Sequence, residues 1–244
     1  MHAFGLIGKS LSHSFSKDYF GNKFEKLNLD YSYQNFECHS LAEVEALLAK
    51  SSCTGFNVTS PYKTKVIDLL DSLDESASVI GAVNTICKEK GLWVGYNTDI
   101  YGFKQMIKPF FESHHERAVI IGTGGASKAV EYVLEELGSN IIFISRSPSK
   151  KNEFAYSDIN RIMLNSCFII VNATPVGTFP NINTAVEIPY EYLTSKHLVI
   201  DLVYNPNETV FVRQSKNKGA TAINGLTMLH QQAEKAWMIW QNVI

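Results

Sequence analysis

The sequence lacks several features that would place it in a specialised class of protein. Its 244 residues include 22 basic and 24 acidic side chains, for a formal net charge of −2, so it has no basic footprint for nucleic acid. No apolar run approaches the roughly 20 residues that span a bilayer, and the segment MHAFGLIGKS has no long apolar leader. The four cysteines form no Cys-x-x-Cys pair, which is typical of reduced thiols. We therefore expect a cytoplasmic protein that binds neither nucleic acid nor a membrane.

The composition favours an ordered globular protein. Hydrophobic residues make up 45% of the chain and charged residues 19%, which is enough apolar material for a substantial core. The length fits one large domain or two small ones. Two small domains agree better with the pattern along the chain, which differs between its halves.

Strands and helices alternate in the first half, which predicts an α/β layer. Period-two or apolar runs predict strands at AFGLIG, YSYQNF and CTGFNVT. Helical spacing predicts helices at SKDYFGNKFEKLN (with Ser16 as the N-cap), LAEVEALLAK, YKTKVIDLLDSL and DESASVIGA. The segments VNTICKE and GLWVGYN are predicted to form a hairpin around Lys90 and Gly91.

The second half has the pattern of a parallel sheet. An amphipathic helix is predicted over residues 98–111, followed by a strand, a glycine turn and a helix in RAVIIGTGGASKAVEYVLEELG. Three further strands are predicted in NIIFISRS, CFIIVNATPVG and HLVIDLVYNP, and a long helix in GLTMLHQQAEKAWMIWQNV. Continuous apolar strands of this kind are covered on both faces in parallel sheets.

The glycine turn predicts a phosphate-binding loop. Glycines occupy positions 122, 124 and 125, and Ser127 stands where a dinucleotide-binding fingerprint has its third small residue. The loop follows a strand and opens a helix, so its backbone N–H groups would face a pyrophosphate. The alternative is an ordinary tight turn between a strand and a helix.

The end of the next strand predicts which nicotinamide cofactor binds. NAD sites have an acidic residue there, whereas this strand ends in Ser145-Arg146-Ser147, with Lys150 and Lys151 close behind. Hydroxyls and an arginine fork are suited to a 2′-phosphate. The prediction is therefore NADP, and the alternative is a solvated basic turn.

Five small polar motifs end strands or begin helices. They are SLSHSFS (10–16), NVTSPYK (57–63), GAVNT (81–85), GYNTDIYGF (95–103) and INGLTMLHQQ (223–232). Ligands of open α/β sheets bind beyond the carboxyl ends of the strands. The motifs supply hydroxyls, amides, one lysine and one carboxylate, without the spacing of metal ligands. This set of groups suits a small polyhydroxylated acid.

On these motifs the chain resembles the shikimate dehydrogenase family, nearly from end to end. The resemblance rests on SHSFS, FNVTSPYK, GAVNTI, GYNTDIYGF, GTGGAS, SRS, NATPVG, DLVYNP and INGLTML, which follow the family's order. It implies an NADP-dependent oxidoreductase of CH–OH groups that interconverts 3-dehydroshikimate and shikimate in aromatic amino-acid biosynthesis. We expect a monomer or homodimer, and no metal site.

The resemblance implies two domains with the active site in the cleft between them. A Rossmann-like NADP-binding domain would comprise residues 101–223, and an α/β substrate domain residues 1–100 and 224–244. The implied catalytic pair is Lys63 and Asp99. The implied substrate-binding residues are Ser14, Ser16, Asn57, Thr59, Lys63, Asn84, Asp99, Tyr204 and Gln232. The implied cofactor-binding residues are Glu75, Gly122, Thr123, Gly124, Gly125, Ala126, Ser145, Arg146, Ser147, Lys150, Thr174, Leu202 and Gly225.

Some positions depart from the family, and some residues have a structural alternative. Lys17 replaces a usual proline, Thr178 a frequent methionine, and His230 a small apolar residue. Ser14 and Ser16 could simply cap the first helix, and Asp99 could cap the helix that follows it.

Three other functions are alternatives to this one. The nearest is an enzyme of the same family that also accepts quinate or NAD. Methylenetetrahydrofolate dehydrogenase shares the two-domain plan, but the motif NVTSPYK and the serine pair fit it poorly. A transcriptional sensor of shikimate or quinate would need a DNA-binding module, for which the chain has no room.

Overall fold

The structure is a computed structural model that describes residues 2–11 and 14–244. The chain forms two compact units. The first comprises the residues up to Thr98 together with Ala233–Ile244, and the second comprises Asp99–Gln232. Within the described residues each unit contains one six-stranded sheet with helices. This confirms the predicted α/β class.

The first unit is built on a mixed sheet with the strand order β2-β1-β3-β5-β6-β4. Its strands are β1 His2–Gly8, β2 Tyr31–Glu37, β3 Gly55–Val58, β4 Ser72–Leu73, β5 Thr85–Glu89 and β6 Leu92–Tyr96. Its helices are α1 Phe15–Lys26, α2 Leu41–Lys50 and α3 Glu75–Ile80, with a 3-10 helix at Lys65–Leu69. Strand β1 runs parallel to β2 and β3, whereas β5 is antiparallel to both β3 and β6. The hairpin of β5 and β6 turns at Lys90 and Gly91, both with positive φ, as predicted.

The second unit is a doubly wound parallel sheet with the strand order β12-β11-β10-β7-β8-β9. Its strands are β7 Arg117–Ile121, β8 Asn140–Ile144, β9 Glu153–Phe154, β10 Ile169–Asn172, β11 Leu198–Asp201 and β12 Thr221–Asn224. Its helices are α4 Asp99–Ile107, α5 Gly125–Glu136, α6 Arg161–Ser166, α7 Val210–Asn217 and the first part of α8 Leu226–Gln241, with 3-10 helices at Tyr156–Asp158 and Tyr190–Tyr192. The first strand of this unit, β7, lies centrally between β10 and β8, so the chain order reverses between β7 and β10.

Trp240 is the largest fully buried side chain in the core of the first unit. Its ring stacks on Phe4 at a centroid distance of 4.7 Å. Its indole N–H donates to the carbonyl oxygen of Ile86 at 3.0 Å, which ties α8 to β5. Gly55 on the neighbouring strand leaves room for the indole, because a Cβ there would overlap the indole nitrogen.

The helix predicted in YKTKVIDLLDSL is wrong in part. The segment forms only the 3-10 helix and then β4, which pairs with β6. The N–H of Trp93 donates to a carboxylate oxygen of Asp71 at 2.7 Å, and the N–H of Asp71 donates to the Trp93 carbonyl oxygen at 3.0 Å. This pairing with a distant strand outweighs the local helical spacing.

Helix ends also differ from the prediction. The helix predicted over 98–111 ends at Ile107, because Pro109 disfavours helical backbone at Lys108 and lacks an N–H. The N-cap of α1 is Ser14 rather than Ser16, and its hydroxyl oxygen accepts the N–H of Lys17 at 3.4 Å. Within the described residues, the elements without a prediction are β9, β12, α6, α7 and the 3-10 helices at Tyr156–Asp158 and Tyr190–Tyr192.

The compact units divide at positions other than the predicted domain boundaries of 100 and 224. The first two turns of α8 belong to the second unit because Gly102 of α4 approaches them closely. A Cβ on Gly102 would lie 2.6 Å from the Met228 carbonyl oxygen and 3.2 Å from Gln232. The assignment of substrate to one domain and cofactor to the other stays a prediction.

Two glycine substitutions should have opposite effects on stability. Gly55→Ala is expected to lower the free energy of unfolding by about 2–4 kcal/mol, since its Cβ displaces the Trp240 indole and its hydrogen bond. Gly21→Ala, on α1 with no atom within 4 Å of the added Cβ, should raise it by about 0.5–1 kcal/mol. Denaturant unfolding measures both, and equal midpoints for the two variants would contradict the packing described for Gly55.

Candidate functional site

Predicted site residues of the first unit gather at one end of its sheet. Asn57 near the end of β3 pairs with Thr85 at the start of β5, and Thr85 pairs with Tyr96 at the end of β6. Thr59 follows β3 directly, and its N–H donates to the Ile7 carbonyl oxygen at 2.9 Å. Strand pairing thus brings together Asn57, Thr59 and Asn84 from separate stretches of sequence.

A hydrogen-bonded network joins the two asparagines. The Asn57 Nδ2 atom donates to Thr85 Oγ1 at 3.2 Å. The Asn84 Oδ1 atom accepts the N–H of Thr98 at 2.7 Å and lies 3.2 Å from the hydroxyls of Thr85 and Thr98. Asn84 is almost completely buried. Its hydrogen bond to the Thr98 N–H holds the backbone after β6 in place. The prediction did not include Thr85 or Thr98.

Lys63 lies on a short loop that follows β3 and is anchored on both sides. Its carbonyl oxygen accepts the N–H of Val83 at 2.6 Å. The preceding residue, Tyr62, is buried, and its hydroxyl donates to the Cys38 carbonyl oxygen. The Lys63 side chain itself is half-buried. The loop backbone therefore fixes where the lysine side chain begins.

The loop between β1 and α1 brings the predicted serines to the same end of the sheet. Strand β2 holds its start, because Glu37 Oε1 accepts the Leu11 N–H at 2.7 Å and Asn35 Nδ2 donates to the Leu11 carbonyl oxygen at 3.1 Å. Ser14 caps α1, as the structural alternative proposed, and Ser16 lies in its first turn. Ser12 and His13 of the SHSFS motif lie outside the described residues.

The second unit contains a groove of about 500 Å³ at the point where the strand order reverses. It is lined by Gly122, Thr123, Gly124, Ile144, Ser145, Arg146, Ser147, Tyr156, Ala173, Thr174, Pro175 and Val176. Gly122 has φ +103°, and a Cβ on it would lie 2.8 Å from Thr174 Cγ2. Gly124 is the N-cap of α5, with open space where a side chain would be. Open sheets bind nucleotides at such a point, with phosphate at the helix N-terminus.

Basic and hydroxyl side chains form the wall of this groove after β8. The Ser145 hydroxyl oxygen accepts the N–H of Ser147 at 3.2 Å, which shapes the turn. Arg146 and Ser147 are exposed. Among the groove-lining residues of the described chain none is acidic, and Arg146 is the charged side chain in this wall.

The comparisons with known proteins agree on one family. A family model described as the shikimate dehydrogenase substrate binding domain matches residues 6–86. A shikimate dehydrogenase (NADP(+)) from Methanosphaera stadtmanae is 37% identical over 97% of this chain and 90% of its own length. The chain belongs to the shikimate dehydrogenase family.

Solved structures of the shikimate dehydrogenase family and a quinate enzyme share the fold. A shikimate dehydrogenase in complex with NADP+ matches with a TM-score of 0.90 and 33% identity, over 100% of this chain and 91% of that chain. A quinate dehydrogenase from Corynebacterium glutamicum in complex with NAD matches with a TM-score of 0.89 and 25% identity, over 99% of this chain and 94% of that chain.

Other predicted residues of this family member lie elsewhere in the two units. Gly125 and Ala126 begin α5, and Lys150 is exposed beyond β8, so none of the three lines the groove. Leu202 and Gly225 follow β11 and β12 and touch each other, because a Cβ on Gly225 would overlap the Leu202 carbonyl oxygen. Asp99 is the first residue of α4 and is buried, Tyr204 is exposed, and Gln232 lies half-buried on α8.

Some of the predicted roles combine residues of different units. Lys63 and Glu75 belong to the first unit, whereas Asp99, Tyr204 and Gln232 belong to the second. The Lys63–Asp99 pair, and the placing of Glu75 on the cofactor, therefore stay predictions.

Tyr156 is a groove residue that the sequence did not predict. It belongs to the 3-10 helix after β9 and is distant in sequence from the glycine motif, although both line the groove. Burial raises the pKa of its hydroxyl, while the nearby positive charge of Arg146 acts in the opposite direction. No local pattern indicates it, because the short strand β9 that precedes it lies outside every predicted element.

Asp201 is a second residue without a predicted role, although it stands in the DLVYNP motif. It is completely buried at the end of β11. Its carboxylate accepts hydrogen bonds from Asn172 Nδ2 at 2.9 Å, Thr209 Oγ1 at 2.6 Å and the Val203 N–H at 3.0 Å. Asn172 in turn accepts the N–H of Thr174, a groove residue, at 3.0 Å. Asp201 thereby holds the loops after β10 and β11.

Across residues 2–11 and 14–244, no group of three or more histidine, cysteine, aspartate or glutamate side chains is arranged to hold a metal ion. Within the same ranges no helix has both the length and the apolar character to cross a membrane.

Asp201 should make stability depend on pH. Burial raises the pKa of its carboxyl to about 6, against the lowering effect of its hydrogen bonds. The folded protein binds this proton more tightly than the unfolded chain does, which stabilises the fold. This stabilisation is complete at pH values below the ordinary pKa of 3.8, and it is lost as the pH rises through about 6. Asp201→Asn keeps the shape without the titration.

Relative to wild type, the free energy of unfolding of Asp201→Asn should therefore rise by about 2 kcal/mol between pH 4 and pH 7. Denaturant unfolding at a series of pH values measures this difference. A constant difference between the two proteins would show that Asp201 does not titrate in this range.

Proposed function

We propose that this chain is an NADP-dependent shikimate dehydrogenase, which reduces 3-dehydroshikimate reversibly to shikimate within aromatic amino-acid biosynthesis. The observation that supports it best is the groove at the strand-order reversal, with its glycines on one side and Ser145-Arg146-Ser147 on the other. Membership in the shikimate dehydrogenase family supports shikimate and 3-dehydroshikimate as the substrates.

The residues present fit the cofactor. Gly124, with no atom within 4 Å of an added Cβ, leaves open the space that a pyrophosphate would take against the N-terminus of α5. Gly122 packs closely against Thr174 beside it. Arg146, with the hydroxyls of Ser145 and Ser147, would hold a 2′-phosphate, and a carboxylate that would repel it is absent from the described lining. When bound, NADPH supplies the hydride for reduction of a ketone.

The first unit supplies the groups that would bind the substrate. The hydroxyls of Ser14 and Ser16 would hold its carboxylate, and Asn57, Thr59 and Asn84 its ring hydroxyls or the groups that contact them. Tyr204 and Gln232 of the second unit would complete the set. All of these groups are uncharged hydrogen-bonding side chains, which suits an acid with several hydroxyls.

Lys63 would be the general acid in the reduction and the general base in the oxidation. Its Nζ atom, as an ammonium, gives a proton to the substrate oxygen during reduction and is left as a neutral amine. In the oxidation of shikimate the amine takes the hydroxyl proton back. Asp99 would orient the lysine and bind the same hydroxyl. Positioned acid–base catalysis of this kind contributes about 10²–10⁴-fold.

The function is tested by the reduction of NADP, followed by nicotinamide absorbance, with shikimate and quinate as substrates and NAD run in parallel. We expect turnover with shikimate and NADP, and Lys63→Ala should lower it by at least about 10²-fold in a folded protein. Lys65→Ala, which removes an exposed lysine two residues away, is the matched control and should retain turnover.

Turnover only with quinate or NAD would reject this specificity and keep the reaction type. Near-native turnover of Lys63→Ala would reject the lysine as the acid. An inactive wild-type protein that still binds NADP would reject the enzymatic function as a whole.

Arg146 should decide between the two cofactors. Arg146→Ala is expected to raise the KM for NADP by roughly 10–100-fold, because a charge-assisted hydrogen bond to the 2′-phosphate is lost. The KM for NAD should change by less than about threefold. Arg213→Ala, on the exposed side of α7, controls for the loss of a positive charge. An equal increase in KM for both cofactors would contradict a contact with the 2′-phosphate.

A further inference from the structure

Tyr33 is a buried tyrosine on β2 that no motif of the sequence singled out. Only 7% of its surface is exposed, and its ring stacks on Phe20 of α1 with a centroid distance of 4.8 Å and an interplanar angle of 14°. A phenylalanine would fill such a position equally well by packing alone. The hydroxyl therefore needs its own explanation, since a buried hydroxyl is costly without partners.

The partner of this hydroxyl is one of the predicted substrate-binding residues. The Tyr33 hydroxyl donates to Asn57 Oδ1 at 2.8 Å. Tyr33 lies on β2 and Asn57 on β3, and β1 lies between these two strands in the sheet. The hydrogen bond therefore links two strands that are not neighbours.

The link determines how the Asn57 amide is oriented. Its oxygen receives the proton of Tyr33, and its Nδ2 atom donates to Thr85 Oγ1 at 3.2 Å and lies 3.4 Å from the Asn84 carbonyl oxygen. An amide presents a donor at one end and an acceptor at the other. Without the Tyr33 hydroxyl, Asn57 Oδ1 loses its hydrogen-bond donor. The amide can then rotate so that its oxygen and nitrogen exchange places without losing a hydrogen bond at that end.

We propose that Tyr33 is a positioning residue of the substrate site, whose hydroxyl fixes the orientation of the Asn57 amide for the incoming substrate. The inference rests on the proposed function, because Asn57 binds substrate only if that function holds. Tyr33 acts through Asn57 and takes no part in proton or hydride transfer.

Steady-state kinetics of Tyr33→Phe test the proposal, because this change removes one oxygen and keeps the ring. The KM for shikimate should rise about tenfold, while kcat falls by less than about threefold and the KM for NADP stays unchanged. Tyr31→Phe removes the same atom two residues away on the same strand. No hydrogen bond of the Tyr31 hydroxyl occurs among the described residues, so this variant should behave as wild type.

A second pair of measurements separates positioning from packing. In an Asn57→Ala background, Tyr33→Phe should raise the KM for shikimate by at most about threefold, because the group it orients is already gone. Phe20→Leu, which weakens the stack on the Tyr33 ring, should lower the unfolding midpoint and leave this KM within about twofold of wild type.

An unchanged KM in Tyr33→Phe, or the same increase in both backgrounds, would overturn the proposal. So would a Tyr33→Phe variant that does not fold, since the hydroxyl would then be needed for folding rather than for orienting Asn57. A KM increase in Phe20→Leu as large as in Tyr33→Phe would assign the effect to packing. An inactive wild-type protein would remove the proposed function and this inference together, whereas active wild type with an unaltered Tyr33→Phe would remove this inference alone.

Discussion

The antiparallel pairing of β3 with β5 is the constraint on which the polar cluster of the first unit depends. Because Asn57 stands opposite Thr85, the end of one strand and the start of the other lie at the same edge of the sheet. Trp240 supports the pair from the core through its hydrogen bond to Ile86, in the space that Gly55 leaves open. A shift of one residue in this register would turn Asn57 to the opposite face of the sheet.

In the second unit a purely parallel sheet brings the candidate site residues together. All of its strands end at one edge, so the loops that follow them meet there whatever their separation in sequence. The glycine turn after β7 and the Asn172-Ala173-Thr174 segment after β10 are neighbours for this reason. Gly122 lets these two segments approach closely, because a Cβ on it would lie 2.8 Å from Thr174 Cγ2, and Gly124 leaves the groove open at the start of α5.

Buried polar groups then hold the loops that the sheets bring together. The Tyr33 hydroxyl is bound to Asn57 on β3 in the first unit, and Asp201 joins the loops after β10 and β11 in the second. Hydrogen bonds are strong in such shielded surroundings, and leaving one of their partners unmatched is costly. Both groups hold segments that carry residues of the candidate site. Tyr33 lies outside every motif, and Asp201 stands in the DLVYNP motif without a predicted role.

The sequence alone determined the α/β class, the hairpin at Lys90 and Gly91, the glycine turn and the family, because each depends on local periodicity, turn chemistry or the order of motifs. The tertiary structure decided the rest. It ended the helix expected after Tyr62 by pairing Ser72 and Leu73 with β6, and it placed Tyr156 in the groove. It also gave Tyr33 and Asp201 their partners. These outcomes depend on contacts between residues far apart in the chain, and local sequence patterns hold no information about which distant strand or hydroxyl will be the partner.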